Sequence, residues 1–305
     1  MSVVLRGLDQ SGSYRVYLTI STELVEKARQ IHNTTPLATA GLGRVLTGAG
    51  LMGLLLKNKE DKLTVQFKGE GPAKMILATA YGDGRVKGYI ANPNVDLPLR
   101  EDHHLDVGGS LGIGQLTVIK DLGLKEPYVG KIDLVTGEIA DDLTAYYYIS
   151  EQQNSSVALG VKVDTDLSVR CAGGMIIQML PDFKEEAVDE LEKMLDKLPP
   201  LTTLIDEIMQ KGVLSDKGMV DELAARIFGE MPEDYALNTL DYGEIKWECD
   251  CSKEKMTKGL MTIGADDLRE IIEEDGKAEL VCQFCESKYN FTKEELEAIL
   301  EEISK

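Results

Sequence analysis

Three stretches in the second half of the chain place apolar residues at helical spacing. Phe183, Val188, Leu191, Leu195 and Leu198 form the first stripe, and Leu201, Leu204, Ile205, Ile208 and Met209 the second. Met219, Val220, Leu223, Ile227 and Phe228 form the third, with Pro199-Pro200 and Gly212 as the breaks between stripes. A segment this apolar on one face must bury that face on a neighbour. The residues before Pro181 offer one. There, β-rich runs at 62–68, 73–81, 85–91, 115–121, 128–133, 157–163 and 168–179 are bounded by Gly, Pro or Asp, and Asp83-Gly84 marks a hairpin. Helices are expected from Ser21 through about Ile31, from Pro36 onward behind Thr35, and over 141–151. The second of these is rich in Gly and Ala, which suits a buried helix lying close to other backbone. Strands interrupted by few helices argue for an α+β fold.

The tail reads differently. Ser252 is placed to cap one helix, 266–274 forms a second, and Thr292 with Glu295 makes a capping box for a third over 292–303. Some sixty residues with so few aromatic side chains build little core, so a metal is the expected staple. The organisation is therefore an N-terminal sheet-and-helix domain (1–180), a helical linker packed on it (181–235) and a small metal module (236–305).

The chemistry for that staple is present. Cys249 and Cys251 form a C-x-C pair, and thirty residues later Cys282 and Cys285 form a C-x-x-C pair. Four soft ligands suit a closed tetrahedral zinc site, which would hold structure and leave no vacant position for activating water. The single residue between Cys249 and Cys251 is shorter than most zinc knuckles, and thiols so spaced can also close a strained, labile disulfide. Spacing alone leaves both roles open, a structural knuckle and a redox-sensitive one.

Charge narrows the partners. The net charge is −20, and residues 181–305 carry 33 acids against 15 bases, whereas residues 1–180 carry 20 against 18. Glu248, Asp250, Glu254 and Glu286 flank the cysteines, the wrong sign for a nucleic-acid-binding ribbon. These acids are also expected to make metal-free thiols less acidic. No run of eighteen apolar residues occurs, and the first fifteen residues lack a basic region followed by an apolar core. A reducing, cytoplasmic setting is expected, with no membrane partner. The remaining candidates carry little. Cys171 sits alone in an apolar strand, the His103-His104 pair lies in a polar loop, and His32 has no base or metal context. Gly109, Gly112 and Gly114 lead into a strand, not a helix, and so fail as a phosphate loop. No catalytic constellation is evident, and the protein is expected not to be an enzyme. The competing reading is a zinc-stabilised enzyme with a pocket in the N-terminal domain, worked by Cys171 or by the histidine pair.

Taken in order, several motifs resemble the heat-shock protein 33 family along essentially the whole chain. They are AGLGRVLTG at 40–48, GEGP at 69–72, GYI at 88–90 followed by Asn92-Pro93, VIKDLG at 118–123 and PYVGKIDLVTGEIADDL at 127–143. SEQ at 150–152, AGG at 172–174, QMLP at 178–181 and the cysteine quartet complete the set. Asn154 departs from the pattern, since many relatives carry proline there. The resemblance implies a redox-regulated, ATP-independent holdase that binds unfolding proteins under oxidative or heat stress. It implies one Zn(2+) per chain on Cys249, Cys251, Cys282 and Cys285 in the reduced, inactive state. Oxidation would give Cys249–Cys251 and Cys282–Cys285 disulfides, release zinc and unfold the tail and linker. The active form would be a homodimer whose N-terminal domain serves client binding and dimerisation, with clients later passed to ATP-dependent chaperones.

Overall fold

The computed structural model describes residues 2–212 and 215–303, which divide into two compact units, one through Glu248 and one from Cys249 onward. The first unit is built on a sheet of ten strands among the described residues. Its elements run β1 (Ser2–Asp9), β2 (Tyr14–Ile20), α1 (Thr22–His32), α2 (Pro36–Leu54), β3 (Lys62–Gly69), β4 (Met75–Tyr81) and β5 (Arg85–Ile90). There follow α3 (Val107–Leu111), β6 (Gly114–Asp121), β7 (Tyr128–Asp133), α4 (Ala140–Ser150), β8 (Ser155–Val163) and β9 (Val169–Met179). The linker supplies α5 (Glu185–Leu195), α6 (Leu201–Lys211) and α7 (Asp216–Phe228), and β10 (Leu237–Trp247) closes the unit. Strand order is β7-β6-β3-β4-β5-β10-β1-β2-β9-β8, antiparallel throughout except where β10 meets β5.

The mixed α+β class expected from the pattern is the class found. Helix α2 begins at Pro36 with the Thr35 hydroxyl accepting from the Ala38 N–H. Its glycines let it approach the sheet: a Cβ on Gly53 would stand 2.8 Å from the Tyr81 carbonyl oxygen. By length and hydropathy α2 could cross a membrane, yet 94% of its apolar window is buried inside the fold. Ser21 does precede α1, but its hydroxyl pairs with Thr47 Oγ1 at 2.7 Å instead of capping. A tertiary partner outcompetes the local one.

Side-chain parity along the strands sorts the core into two layers. Val4, Ala172 and Ile176 join α1, α2 and α4 in one cluster. Leu5, Cys171, Met175 and Ile177, their neighbours of opposite parity, join a second cluster with Leu191, Leu204, Ile205, Ile208, Leu223, Ile227 and Phe228. The linker stripes therefore dock on the face of the sheet opposite α2. Covered on both faces, β9 is buried at nearly every position.

Three strands of this sheet go beyond the pattern reading: β1, β2 and β10. Of these β10 changes the organisation. Only Ile245 of its eleven residues is buried, so it shows no alternation. It is fixed instead by backbone pairing, antiparallel to β1 over Ser2–Asp9 and parallel to β5 through Lys246 and Trp247. Residues 237–248 thus belong to the first unit, as do the linker helices. The second compact unit begins at Cys249, whereas the sequence reading placed its metal module from 236.

Candidate metal centre

The second unit contains α8 (Lys253–Met261), α9 (Ala265–Glu274), the hairpin strands β11 (Lys277–Val281) and β12 (Lys288–Thr292), and α10 (Lys293–Ile303). A small core of Leu260, Leu268, Ile272, Phe291, Leu296 and Ile299 holds them together. Local caps set the helix starts. Ser252 Oγ accepts from the Lys255 N–H at 3.3 Å, and Thr292 and Glu295 exchange the two bonds of a capping box. Cys249 and Cys251 lie on the approach to α8. Cys282 and Cys285 lie on the turn of the β11–β12 hairpin, where the Cys282 N–H donates to Ser287 O and the Glu286 N–H to Cys282 O. Glu286 takes a positive φ of 59° to make that turn.

Two segments thirty residues apart thereby deliver four sulfurs to one place. Cys249 Sγ lies 3.8 Å from Cys282 Sγ, Cys251 Sγ lies 3.3 Å from Cys285 Sγ, and all four sit within 4.8 Å of one another. Sulfurs at about 2.3 Å from a tetrahedral ion would be separated by about 3.8 Å, so the quartet has the size to hold a metal ion. It is the one such cluster among the described residues. Two groups outside the cysteine pattern touch it: the Tyr289 hydroxyl donates to Cys251 Sγ at 3.1 Å, and Ser287 Oγ lies 3.2 Å from Cys285 Sγ. Sequence reasoning missed both, although their places on the hairpin, two and four residues past Cys285, are a usable signal.

The thiols do not all respond as the acidic flanks suggest. Burial pushes Cys249 and Cys282 up. Burial also opposes ionisation of Cys285, but hydrogen bonds from Ser287 and from the Cys251 and Cys249 thiols outweigh it and bring that thiol down to about 7. Asp250, expected to disfavour thiolate, is paired with Lys255.

The other candidates stay apart from this site. Cys171 is fully buried, donates to Thr202 O at 3.3 Å, and is pushed up to about 11 by burial, the opposite of an activated nucleophile. His104 pairs with Asp102 on an exposed turn that also carries His103, and His32 is buried with Nε2 3.0 Å from Gly88 O. The reading as a zinc-stabilised enzyme finds no support in these positions.

Fold and site together define a protein of two parts, an α+β body with helices docked across its sheet and a small four-thiol module. Comparison with known proteins makes this specific. The family model described as "Hsp33 protein" matches residues 2–292. The chain is 44% identical over 297 residues to a 33 kDa chaperonin of Lachnoclostridium phytofermentans, covering 97% of each. It is 46% identical over 304 residues to one of Clostridium perfringens, covering 99% of this chain and 91% of the relative. The crystal structure of the 33 kDa chaperonin (heat shock protein 33 homolog) of Thermotoga maritima superposes with a TM-score of 0.86 at 35% identity, over 99% of both chains. The chain belongs to the Hsp33 family, and it is a redox-regulated chaperone. Those names support a holding role in place of a catalytic one.

Proposed function

We propose that this chain is an ATP-independent holdase, held inactive while Cys249, Cys251, Cys282 and Cys285 bind one zinc ion and activated when those cysteines are oxidised. The convergence of the four sulfurs within 4.8 Å carries the reading. Zinc there would keep the sulfurs as thiolates and staple a module whose own core is six buried side chains. Each disulfide forms as two sulfurs give up two electrons to hydrogen peroxide, whose O–O bond breaks; two protons, taken from solvent where zinc held thiolates, complete the two waters that leave. A sulfur committed to a disulfide no longer donates to a metal, so the first bond formed leaves too few ligands. In the metal-ready arrangement Cys249 Sγ contacts Cys282 Sγ and Cys251 Sγ contacts Cys285 Sγ, both across the pairs. The assignment of Cys249–Cys251 and Cys282–Cys285 therefore rests on the family resemblance, with the module rearranging on oxidation.

With its staple gone the module loses most of its folding free energy. The linker helices, docked on the sheet by one apolar stripe each with a few ion pairs beside it, then release and expose both their own Leu, Ile and Met side chains and the sheet beneath. That surface captures unfolding clients, supports a homodimer, and is cleared when ATP-dependent chaperones take the client. The acidic balance of residues 181–305 keeps the opened chain soluble in the cytoplasm. The test is thermal aggregation of an unrelated protein, with this chain added before and after peroxide treatment under mild heat. Suppression after oxidation alone supports the switch. Equal suppression by both forms, or none by either, refutes it.

A further inference from the structure

A cavity of about 190 Å³ opens between the C-terminal end of α2, the end of α4 and strands β2, β3, β6 and β9 of the first unit. Its walls divide by chemistry. Met52, Leu55, Leu56 and Leu63 line one side. On the other, Arg15 directs Nε and Nη2 at Gln178 Oε1, at 3.1 and 2.8 Å, a neutral partner that leaves its charge uncompensated. No carboxylate pairs with Arg15 among the described residues. The one carboxylate in the cavity, Glu151, is already taken by Lys120 Nζ at 2.7 Å and by the Tyr146 hydroxyl. Two cations thus face one carboxylate. Beside them Tyr147 is only 5% exposed, lines the cavity, and its hydroxyl has no hydrogen-bond partner among the described residues. A half-buried guanidinium without a counter-ion and a hydroxyl that opens onto the cavity without a protein partner both suit an incoming anion.

We propose that this cavity is a binding site for a small monoanionic carboxylate with a short apolar tail. The carboxylate takes charge-assisted hydrogen bonds from the free N–H groups of Arg15 and from the Tyr147 hydroxyl, and the tail lies on Met52, Leu55, Leu56 and Leu63. One unbalanced positive charge matches one negative charge, and the apolar wall gives an inorganic ion nothing to pack against. The site lies wholly within the first unit and is independent of the cysteine chemistry.

Hexanoate is a suitable probe, with hexan-1-ol and inorganic phosphate as comparisons, on the full reduced, metal-loaded chain. Titration followed by the methyl resonances of Met52, Leu55, Leu56 and Leu63 should show saturable shifts with hexanoate and binding at least about tenfold weaker for the other two. Arg15→Gln should weaken hexanoate by about tenfold or more. Tyr147→Phe, which keeps the ring packing and so the fold, should weaken it by about threefold or more. Absence of saturable shifts at about 10 mM hexanoate overturns the proposal. So does equal binding of the alcohol or of phosphate, or an affinity unchanged in Tyr147→Phe.

Discussion

Ile205→Ala is the sharpest test of how the linker is held. Ile205 is wholly buried on α6, and its Cδ1 occupies the space a side chain at Gly173 of β9 would need. Its neighbour Asp206 anchors the same helix turn, accepting from Arg170 Nε at 2.8 Å and Lys162 Nζ at 2.9 Å. Truncation leaves those polar contacts intact and removes apolar packing alone. A change of this type in a closed core costs about 2–5 kcal/mol. If α6 opens as its own unit, the whole loss appears in its opening equilibrium, which rises roughly 30- to 4,000-fold. Hydrogen exchange of peptides spanning 201–211, in reduced and metal-loaded protein, reads that quantity directly. Glu207→Ala is the control. Its partner Arg226 is 2.7 Å away but Glu207 is more than half exposed, so the loss should be about 1 kcal/mol or less and exchange should rise no more than about fivefold. Client holding by Ile205→Ala without oxidant should rise with opening. Unchanged exchange would refute the idea that the stripe holds α6. Faster exchange spread evenly over the first unit would refute separate opening, and faster opening without client holding would remove the linker from the mechanism.

Two other outcomes are expected. Metal analysis should find full occupancy in Cys171→Ser and loss in Cys282→Ser; equal loss in both would break the ligand assignment. For pH, the Arg29 guanidinium, donating at 2.8 and 2.7 Å, holds Glu26 down at about 2 against the effect of burial, with the Val169 N–H helping. Because this lies below its usual 4.5, the carboxylate stabilises the fold fully above that value and the contribution fades as pH falls toward about 2. Urea midpoints measured from about pH 6 to about pH 2.5 should therefore fall less steeply in Glu26→Gln than in the parent; identical slopes would show that Glu26 is not a linked group.

The sequence by itself determined what is local. Thr35 with Pro36, Ser252, and Thr292 with Glu295 mark helix starts because a cap needs only residues within one turn. The linker stripes were legible because helical periodicity is a property of the segment. The four cysteines stood out because two short thiol pairs suit a metal or redox role, and the fold brings their sulfurs together. Tertiary structure decided whatever depends on partners far along the chain. Strand β10 reads as polar and is placed only by its backbone pairing with β1 and β5. Ser21 gives its hydroxyl to Thr47, and Asp206 becomes an anchor only because β8 and β9 bring Lys162 and Arg170 beneath it. The acidity of Cys285 turns on Ser287 and the opposing thiols, not on the acidic flanks that sequence puts first. Arg15 and Tyr147 share a cavity although 132 positions separate them. Periodicity and capping act over a few residues of backbone, whereas pairing, burial and charge compensation act through space, and only the folded chain sets those distances.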